Sequence, residues 1–201
     1  MPPRPLVLAS TSPYRRELLT RLQLPFEVRA PNVDETALAG ELPQATALRL
    51  ARAKALAVAP SCRDALVIAS DQVAALNGIA IGKPGSHDNA VRQLSTMRGQ
   101  CVTFHTALAV LDTATETMQL AEVPTNVYFR DFIDDEIERY LTIERPYDCT
   151  GSAKIEGLGI ALVERIVSDD PSALIGLPLM RLVTLLHENG VRILGPAGSG
   201  G

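Results

Sequence analysis

Short apolar runs recur along the first third of the chain. Leu6–Ala9, Phe26–Ala30 and Ala65–Ala69 are brief, largely apolar stretches. Runs of this length that are bounded by polar or turn-forming residues are typical of buried β-strands. We therefore predict three strands here, with the third ending at the polar triplet Ser70-Asp71-Gln72.

Helical spacing of leucine and alanine predicts helices between these strands. Leu18, Leu19 and Leu22 form an apolar stripe behind Ser12-Pro13, where serine is a favoured N-cap and proline fits the first helical position. Four later helices are predicted, each from an apolar stripe of alanine or leucine or from a capping residue at its start. They run from Pro43 to about Val58, from the N-cap Ser86 to about Met97, from the N-cap Asp134 to Leu141, and from Pro178 to about His187.

Hairpin signals occupy the middle of the chain. Asn77-Gly78 separates Val73–Leu76 from Ile79–Ile81, and this dipeptide between apolar runs favours a tight β-turn. Two long strand patterns follow, at Val102–Leu111 and Gln119–Phe129. Alternating strands and helices with hairpins between them predict an α/β fold that has a mixed sheet with flanking helices.

No linker or repeat divides the sequence. A glycine-rich stretch from Gly151 to Gly159 leads into the apolar run Ile160–Val163. We expect a single domain over residues 1–195 and a disordered Gly/Ser tail over residues 196–201.

Composition and charge narrow the class of protein. Hydrophobic residues make up 46% and charged residues 21% of the 201 residues, as in ordinary soluble globular proteins. The net charge of −4 argues against a nucleic-acid partner, because nucleic-acid-binding surfaces are usually basic. A small basic pocket for one phosphorylated ligand remains compatible with this charge.

The beginning of the chain and its cysteines bear on the compartment. The apolar run at Leu6–Ala9 is far shorter than the ~7–15 residues of a signal peptide or the ~20 residues of a membrane span. Cys62, Cys101 and Cys149 are odd in number and lack C-x-x-C spacing, which favours buried free thiols in a reducing compartment. We expect a cytoplasmic protein without a membrane partner.

The segment from Ser10 to Arg16 predicts an anion site. Ser10 and Ser12 lie between a strand and a helix, where unpaired backbone N–H groups and the helix dipole attract negative charge. Arg15 and Arg16 add donors that match phosphate oxygens. The alternative is that Ser12 only caps the helix and that both arginines lie in solvent.

Acidic and basic residues elsewhere complete a set that suits a metal-bound polyphosphate. Asp71 follows a predicted strand at the edge where open α/β sheets bind ligands. Asp34-Glu35 could hold Mg²⁺, and the ammonium groups of Lys54 and Lys83 suit phosphates. The alternatives are a capping aspartate, an exposed acidic pair and two solvated lysines, and Gly151–Gly157 could equally be an ordinary flexible turn.

Taken together, these segments resemble the Maf family of nucleotide pyrophosphatases from about Leu6 to about Gly195, in order and in spacing. The matching segments are Leu-Ala-Ser-Thr-Ser-Pro-Tyr-Arg-Arg-Glu-Leu-Leu, Val-Asp-Glu, Ala-Lys-Ala, Ser-Asp-Gln-Val, Gly-Lys-Pro, Gly-Ser-x-Lys-x-Glu-Gly and Gly-Leu-Pro. The resemblance implies an elongated mixed sheet and two lobes around a central cleft, as in ITPase-like folds. It also implies a homodimer, since members of the family frequently form one. It also implies hydrolysis of a nucleoside triphosphate to a monophosphate and pyrophosphate with a divalent metal cation (Mg, Mn or Co).

The resemblance also implies roles for individual residues. Asp71 matches the family's catalytic acidic residue, and the residues that match its other polar cleft positions are Ser10, Arg15, Glu35, Lys54 and Lys83. We expect catalysis from Asp71, Lys83, Lys54 and Arg15, phosphate binding by Ser10, Ser12, Arg15 and Arg16, and metal binding by Glu35 and Asp71. Whether Asp71 acts mainly as a base or as a metal ligand stays open.

Three residues resemble the branch of the family that hydrolyses 7-methyl-GTP: Tyr14, Gln72 and Glu156. The branch that acts on dTTP and UTP has Thr in place of Gln72 and Arg in place of Tyr14. Methylation at N7 makes the guanine ring cationic, so an aromatic face gains a cation–π contribution. The carboxylate of Glu156 could accept both N1–H and N2–H of guanine. The alternatives are a dTTP/UTP pyrophosphatase and a regulator of cell division that binds a nucleotide without hydrolysing it.

Overall fold

Residues 4–194 are described by a computed structural model, and the predicted tail over residues 196–201 lies outside them. The described chain forms one seven-stranded mixed sheet with flanking helices, which confirms the predicted α/β class. Its regular elements, in chain order, are β1 (Leu6–Ala9), α1 (Pro13–Thr20), β2 (Phe26–Arg29), α2 (Pro43–Val58), β3 (Leu66–Leu76), β4 (Ile79–Ile81), α3 (His87–Met97), β5 (Cys101–Asp112), β6 (Thr117–Phe129), α4 (Asp134–Glu144), β7 (Val163–Ser168) and α5 (Leu179–Glu188).

The sheet has the strand order β2-β1-β3-β5-β6-β7, and β4 pairs with β3 as an additional strand. β1 runs parallel to both β2 and β3, whereas the pairs that follow are antiparallel. Asn77 and Gly78 form the turn between β3 and β4 with φ angles of 51° and 78°. The hairpin that their sequence predicted is therefore confirmed.

Strand β3 differs from its prediction in a way that matters for the site. Ser70-Asp71-Gln72 does not end a strand but lies inside the continuous strand Leu66–Leu76, which pairs with β5 along its whole length. The polar triplet interrupts the apolar pattern without interrupting the backbone ladder. The prediction that Asp71 lies at the end of its own strand is therefore wrong.

One edge of β3 is open beside Asp71. On that edge β1 pairs with residues Leu66 to Ile68, and β4 pairs with residues Ala74 to Leu76. The intervening part of β3 has no strand partner there within the described chain, because β1 ends at Ala9 and turns away. Asp71 thus lies just beyond the carboxyl end of β1, so a ligand can reach it although its own strand continues.

Apolar residues collect in two lobes that share the sheet. In the first lobe, alternate residues of β1, β3 and β5 face α1 and α5 on one side, as Leu8 does, and α2 on the other, as Val7 does. In the second lobe, the other ends of β3 and β5 join β6, α3 and α4 around residues such as Phe104 and Leu94. The strands β3 and β5 run through both lobes.

The structure departs from the sequence-based expectation at Asp134, and it adds a strand after Ile160. Asp134 is not the N-cap of α4 but its first residue, and the carboxylate of Glu136 accepts a hydrogen bond of 2.8 Å from the backbone N–H of Ile133 at the cap position. Within the apolar run, Ile160 belongs to a short 3₁₀ helix, Leu158–Leu162, and β7, which the sequence did not predict, begins at Val163. The outward-facing, charge-containing pattern of β7 concealed this strand in the sequence.

The three cysteines are free, as predicted, but they are half-buried and not buried. Cys62 follows a short 3₁₀ helix, Cys101 begins β5 and Cys149 lies in a loop, so each is at the margin of a packed element. Among residues 4–194, no helix combines the length and the apolar content that crossing a bilayer requires.

Candidate active site

A cleft of about 670 Å³ lies between the two lobes. Its walls come from the turn after β1, the loop after β2, helix α2, the open edge of β3, the loop after β4, and two segments around residues 148–156 and 174–176. Apart from Arg16 and Asp34, the predicted site residues line it, namely Ser10, Ser12, Tyr14, Arg15, Glu35, Lys54, Asp71, Gln72, Lys83 and Glu156. Asp34 is exposed in the loop after β2, where its Oδ1 accepts from the Thr36 N–H at 2.9 Å.

Arg16 is the predicted phosphate-binding residue that the structure does not bring to the cleft. It is exposed on α1 and is not among the residues that line the cavity, whereas its neighbour Arg15 is. Successive helical residues point about 100° apart, so two adjacent arginines rarely reach one site. Of the two adjacent arginines, the structure brings Arg15 and not Arg16 to the cleft.

At the centre of the cleft, Lys54 joins two carboxylates. Its Nζ lies 2.6 Å from Oδ1 of Asp71 and 2.6 Å from Oε1 of Glu35. Lys54 and Asp71 are buried, with 5% and 6% of their surfaces exposed, whereas the Glu35 side chain is largely accessible. A buried ammonium group requires such pairing, because an unpaired charge away from water is very costly.

The two carboxylates have opposite shifts in pKa. Burial raises the pKa of Asp71, and the charge and hydrogen bond of Lys54, together with the charge of Arg15, only partly offset it. Burial also raises the pKa of Glu35. This effect is outweighed by the hydrogen bond and charge of Lys54 and by the charges of Lys83 and Arg15, so the pKa of Glu35 is lowered. A carboxylate with a raised pKa is the better proton acceptor near neutral pH.

Arg15 is held by a backbone carbonyl from the far end of the chain. Its Nε donates to the oxygen of Gly176 at 2.8 Å, and Ser70 Oγ lies 2.8 Å from the same oxygen. Burial lowers the pKa of Arg15, while the charges of Asp71 and Glu35 oppose that shift. Gly176 has a φ of 118°, and a Cβ there would lie 3.4 Å from Arg15 Nε, so this position favours glycine.

The turn between β1 and α1 has the features of an anion site. Ser12 caps the helix by accepting from the Arg15 N–H at 3.4 Å, and Ser10 Oγ accepts from the Ser12 N–H at 3.0 Å. In the described chain, the backbone N–H groups of Thr11 and Tyr14 have no hydrogen-bond partner, and both residues line the cleft. Free N–H groups at the positive end of a helix attract phosphate oxygens.

The opposite wall presents Glu156 on an anchored loop. Lys154 Nζ donates to Oε1 of Glu144 at 2.8 Å, and Oε2 of Glu144 accepts from the Leu158 N–H at 2.8 Å. The hydroxyl of Tyr140 accepts from the Lys154 N–H at 3.0 Å, so α4 fixes both ends of the loop. Glu156 itself is exposed in the cleft and makes no hydrogen bond or ion pair within residues 4–194.

Tyr14 lines the cleft near Glu156, close enough for their charges to interact. Burial raises the pKa of the Tyr14 hydroxyl, and the charges of Cys149, Glu156 and Asp148 act in the same direction, against that of Lys154. The phenol is therefore neutral at physiological pH. An aromatic face near a carboxylate is an arrangement that suits a cationic heterocycle.

The carboxylates that the site brings together as possible metal ligands are those of Glu35 and Asp71. No group of three or more His, Cys, Asp or Glu side chains able to hold a metal ion occurs in the part of the chain that the structure describes. Glu35 and Asp71 converge on one cation, Lys54. This donor set fits Mg²⁺, which is commonly bound by one or two carboxylates together with substrate phosphates.

Several cleft residues were not identified from the sequence. The sequence marks Gly176 only as part of the segment Gly-Leu-Pro, whereas in the structure its carbonyl oxygen accepts from Arg15 Nε. Cys149 lines the cleft, and burial and the neighbouring Asp148 raise the pKa of its thiol to about 12. Thr106 lies behind the cleft, fully buried in β5 beside Gln72. Thr103, His105 and Asp112 are polar residues of the same strand, so no local signal distinguishes Thr106.

The sequence matches known proteins over nearly its whole length. A family model described as "Maf-like protein" matches residues 5–189. A 7-methyl-GTP pyrophosphatase from Methylobacillus flagellatus is 58% identical over 190 residues, which cover 94% of this chain and 99% of that protein. One from Polaromonas sp. is 59% identical over 197 residues, which cover 97% of this chain and 89% of that protein. A solved structure, the Ham1 protein of Staphylococcus aureus, aligns with a TM-score of 0.46 and 16% identity over 64% of this chain and 73% of its own.

Proposed function

Because the chain belongs to the Maf family, we propose that it is a nucleotide pyrophosphatase that cleaves 7-methyl-GTP between its α- and β-phosphates, releasing 7-methyl-GMP and pyrophosphate. The observation that carries this proposal is the buried Asp71, which lies between Lys54 and Arg15 on the open edge of β3. Relatives named as 7-methyl-GTP pyrophosphatases match 94% and 97% of the chain at 58% and 59% identity, which supports the substrate.

The reaction uses Asp71 as the base. A water molecule attacks the α-phosphorus, Asp71 takes its proton, and the bond from the α-phosphorus to the bridging oxygen breaks. The electron pair of that bond leaves with pyrophosphate. The raised pKa of Asp71 supports this role, since a carboxylate accepts a proton more readily as its pKa approaches the working pH.

Cationic and N–H groups stabilise the charge that the reaction redistributes. Arg15, fixed by the Gly176 carbonyl, and Lys54 lie beside Asp71, where the α-phosphoryl oxygens gain charge. Lys83 is exposed at the margin of the cleft and suits the leaving pyrophosphate. The turn containing Ser10 and Ser12 binds further phosphate oxygens through its free N–H groups.

A divalent cation, Mg²⁺, Mn²⁺ or Co²⁺, is part of the proposal. Glu35 and Asp71 would hold it together with phosphate oxygens of the nucleotide. When bound, such an ion neutralises phosphate charge. Lys54 supplies a positive charge between the two carboxylates.

The base is recognised by Tyr14 and Glu156. The cationic 7-methylguanine ring gains from the aromatic face of Tyr14, and Glu156 accepts from N1–H and from the 2-amino group. Glu156 has no partner within residues 4–194, so it is available to a ligand.

A substrate panel tests the proposal. Pyrophosphate release is measured with 7-methyl-GTP, GTP, dTTP, UTP and CTP, each with Mg²⁺ or Mn²⁺, for the native protein and for Asp71→Asn. We expect a strong preference for 7-methyl-GTP and loss of turnover in Asp71→Asn, with an unchanged melting temperature. Preference for dTTP or UTP would overturn the assignment of the base, and turnover in Asp71→Asn would overturn that of Asp71. Release from none of the nucleotides would favour a binding protein.

Two further expectations carry over as proposals. The three free cysteines support a cytoplasmic location, where thiols stay reduced. The family resemblance supports a homodimer, and light scattering after size-exclusion chromatography would detect it. A monomer at micromolar concentration would contradict that expectation.

A further inference from the structure

The side-chain amide of Gln72 is oriented by three acceptors. Its Nε2 lies 2.9 Å from Thr106 Oγ1, 3.0 Å from the Ala173 carbonyl oxygen and 3.1 Å from the Leu174 carbonyl oxygen. Backbone carbonyls only accept hydrogen bonds, so the atom that contacts them must be the amide nitrogen. Thr106 donates its own hydroxyl proton to the Ala173 carbonyl at 2.9 Å, so it too accepts from Gln72.

The turn that carries these carbonyls is itself firmly held. Asp170 is 2% exposed, and its carboxylate accepts from the Ser172 N–H at 3.0 Å and from the Met180 N–H at the start of α5 at 2.7 Å. The Gly176 N–H closes the turn on the Ala173 carbonyl at 2.9 Å. The acceptors that orient Gln72 are therefore fixed from both sides.

The carbonyl oxygen of Gln72 is left for the cleft. Within residues 4–194, Oε1 takes part in no hydrogen bond, and it is not among the buried atoms that lack a partner. Gln72 lines the cleft, as does Glu156, whose carboxylate is also unpaired in the described chain. An amide can usually offer either a donor or an acceptor, but here rotation would set Oε1 against two carbonyl oxygens.

We propose that Thr106 and the turn Ala173–Ile175 hold Gln72 as a hydrogen-bond acceptor only, and that this fixed acceptor makes Gln72 select bases with adjacent N–H donors. The inference rests on the proposed function and deepens it. Guanine places N1–H beside a 2-amino group, whereas uracil and thymine have one N–H between two carbonyl oxygens. Uracil and thymine therefore direct oxygen atoms at a surface that only accepts, which is unfavourable in a confined site.

Thr106 is a positioning residue in this scheme, since it acts on the ligand only through Gln72. Its role is separable from general stability, because loss of stability lowers the turnover of all substrates alike. Loss of the orientation of Gln72 changes the ratio between substrates. The discriminating variants are Thr106→Val, which removes the hydroxyl at nearly constant shape, Thr106→Ser, which retains it, and Gln72→Met, which removes the acceptor.

The experiment measures kcat and KM for 7-methyl-GTP and for UTP in the native protein and the three variants. We expect Thr106→Val and Gln72→Met to lower the preference for 7-methyl-GTP over UTP by about tenfold, chiefly through KM for 7-methyl-GTP. Thr106→Ser should keep most of the preference. An equal loss for both nucleotides, or an unchanged ratio in Gln72→Met, would overturn the inference.

Binding of the products separates this inference from the proposed function. Calorimetry with 7-methyl-GMP and UMP measures the same preference without turnover, so it can be read even if no nucleotide is hydrolysed. A native preference for 7-methyl-GMP that Gln72→Met removes supports the inference, whereas a preference that survives in Gln72→Met overturns it. Gln72 is only half-buried, so we expect Gln72→Met to fold. It therefore still tests the selection of the base by Gln72 if Thr106→Val fails to fold.

Discussion

At the scale of single residues, the charges at the centre of the cleft cancel. Asp71 and Glu35 are matched by Lys54 and Arg15, and the ammonium of Lys54 touches both carboxylates. The balance lets four charged groups share a partly buried site, because each charge has a partner that compensates for lost hydration. It also makes the protonation of Asp71 depend on Lys54.

Lys54→Met should shift the acid limb of the pH–rate profile. Hydrolysis requires ionised Asp71, and the charge and hydrogen bond of Lys54 hold its pKa below the value that burial alone would give. Without Lys54 that pKa rises further, so activity is lost at a higher pH as the solution is acidified. The profile of kcat/KM against pH measures this shift.

Lys83→Met is the matched control for this shift. Lys83 influences the pKa of Glu35, but it is not among the groups that shift the pKa of Asp71. Its removal should lower kcat/KM through weaker binding of the pyrophosphate part and leave the acid limb in place. A limb that stays unchanged in Lys54→Met would mean that another group acts as the base.

Tyr14 should contribute through its ring and not through its hydroxyl. Tyr14→Phe keeps the aromatic face and should retain the preference for 7-methyl-GTP over GTP, whereas Tyr14→Ala should reduce it by about three- to tenfold. The ratio of kcat/KM for the two nucleotides is the readout. Equal losses in Phe and Ala variants would instead assign the effect to the hydroxyl group.

At the scale of elements, the loop after β2 owes its position to helix α2. Arg49 Nε donates to Oε1 of Glu41 at 2.6 Å, and its NH2 group donates to the Thr36 carbonyl at 3.1 Å. Glu41 also accepts from the Thr46 hydroxyl at 2.9 Å and from the Leu38 N–H at 3.1 Å. The pair thus fastens to α2 the loop that directly follows Glu35.

Glu41→Gln should weaken the active site without contacting the reacting atoms. The hydrogen bonds from Arg49 are the main reason that the pKa of Glu41 is lowered to about 2, so the pair is charged at every pH where the enzyme works. Loosening the loop should misplace Glu35 and lower kcat/KM about three- to tenfold. Glu27→Gln, in the exposed pair with Arg29 on β2, is the control and should have no effect. Equal activity in both variants would contradict the role of the loop.

The elements that the sequence predicted well are those with a strong local signal. Serine caps at Ser12 and Ser86 and the Asn77-Gly78 turn were found where the pattern placed them, because short-range hydrogen bonds and allowed φ angles determine them. Strand β3 was cut short, since the ladder with β5 that carries it through Asp71 is a long-range interaction.

The distinction between local and long-range interactions also applies to the site. Most of the charged and polar side chains of the cleft could be identified from their chemistry and from a family resemblance, although Arg16 was included and Cys149 was missed. What holds them could not, because the support comes from distant segments: Gly176 binds Arg15 across 161 positions, and the Ala173 carbonyl meets Gln72 across 101. No local pattern reports a backbone carbonyl whose position depends on how the whole chain folds.

At the scale of the whole molecule, the two lobes are joined by strands that belong to both. β3 and β5 pair over eleven residues from Leu66 to Leu76, and this ladder runs from the core around Leu8 to the core around Leu94. The cleft therefore lies across a shared sheet and not between separate bodies. The two cores should gain and lose their structure together.

Unfolding should accordingly be a single transition in which either core destabilises the whole. Leu8→Ala and Leu94→Ala each remove a fully buried side chain and should each cost about 2–5 kcal/mol, whereas Leu56→Ala, on the exposed side of α2, should change stability by less than about 0.5 kcal/mol. The chain has no tryptophan, and Tyr140 and Tyr147 lie in the second lobe, so tyrosine fluorescence reports mainly on that lobe while circular dichroism reports on both. Coincident midpoints from the two signals in both variants are expected. A second transition seen by fluorescence alone in Leu94→Ala would show instead that the lobes unfold independently, and the ladder between β3 and β5 would then be too weak to couple them.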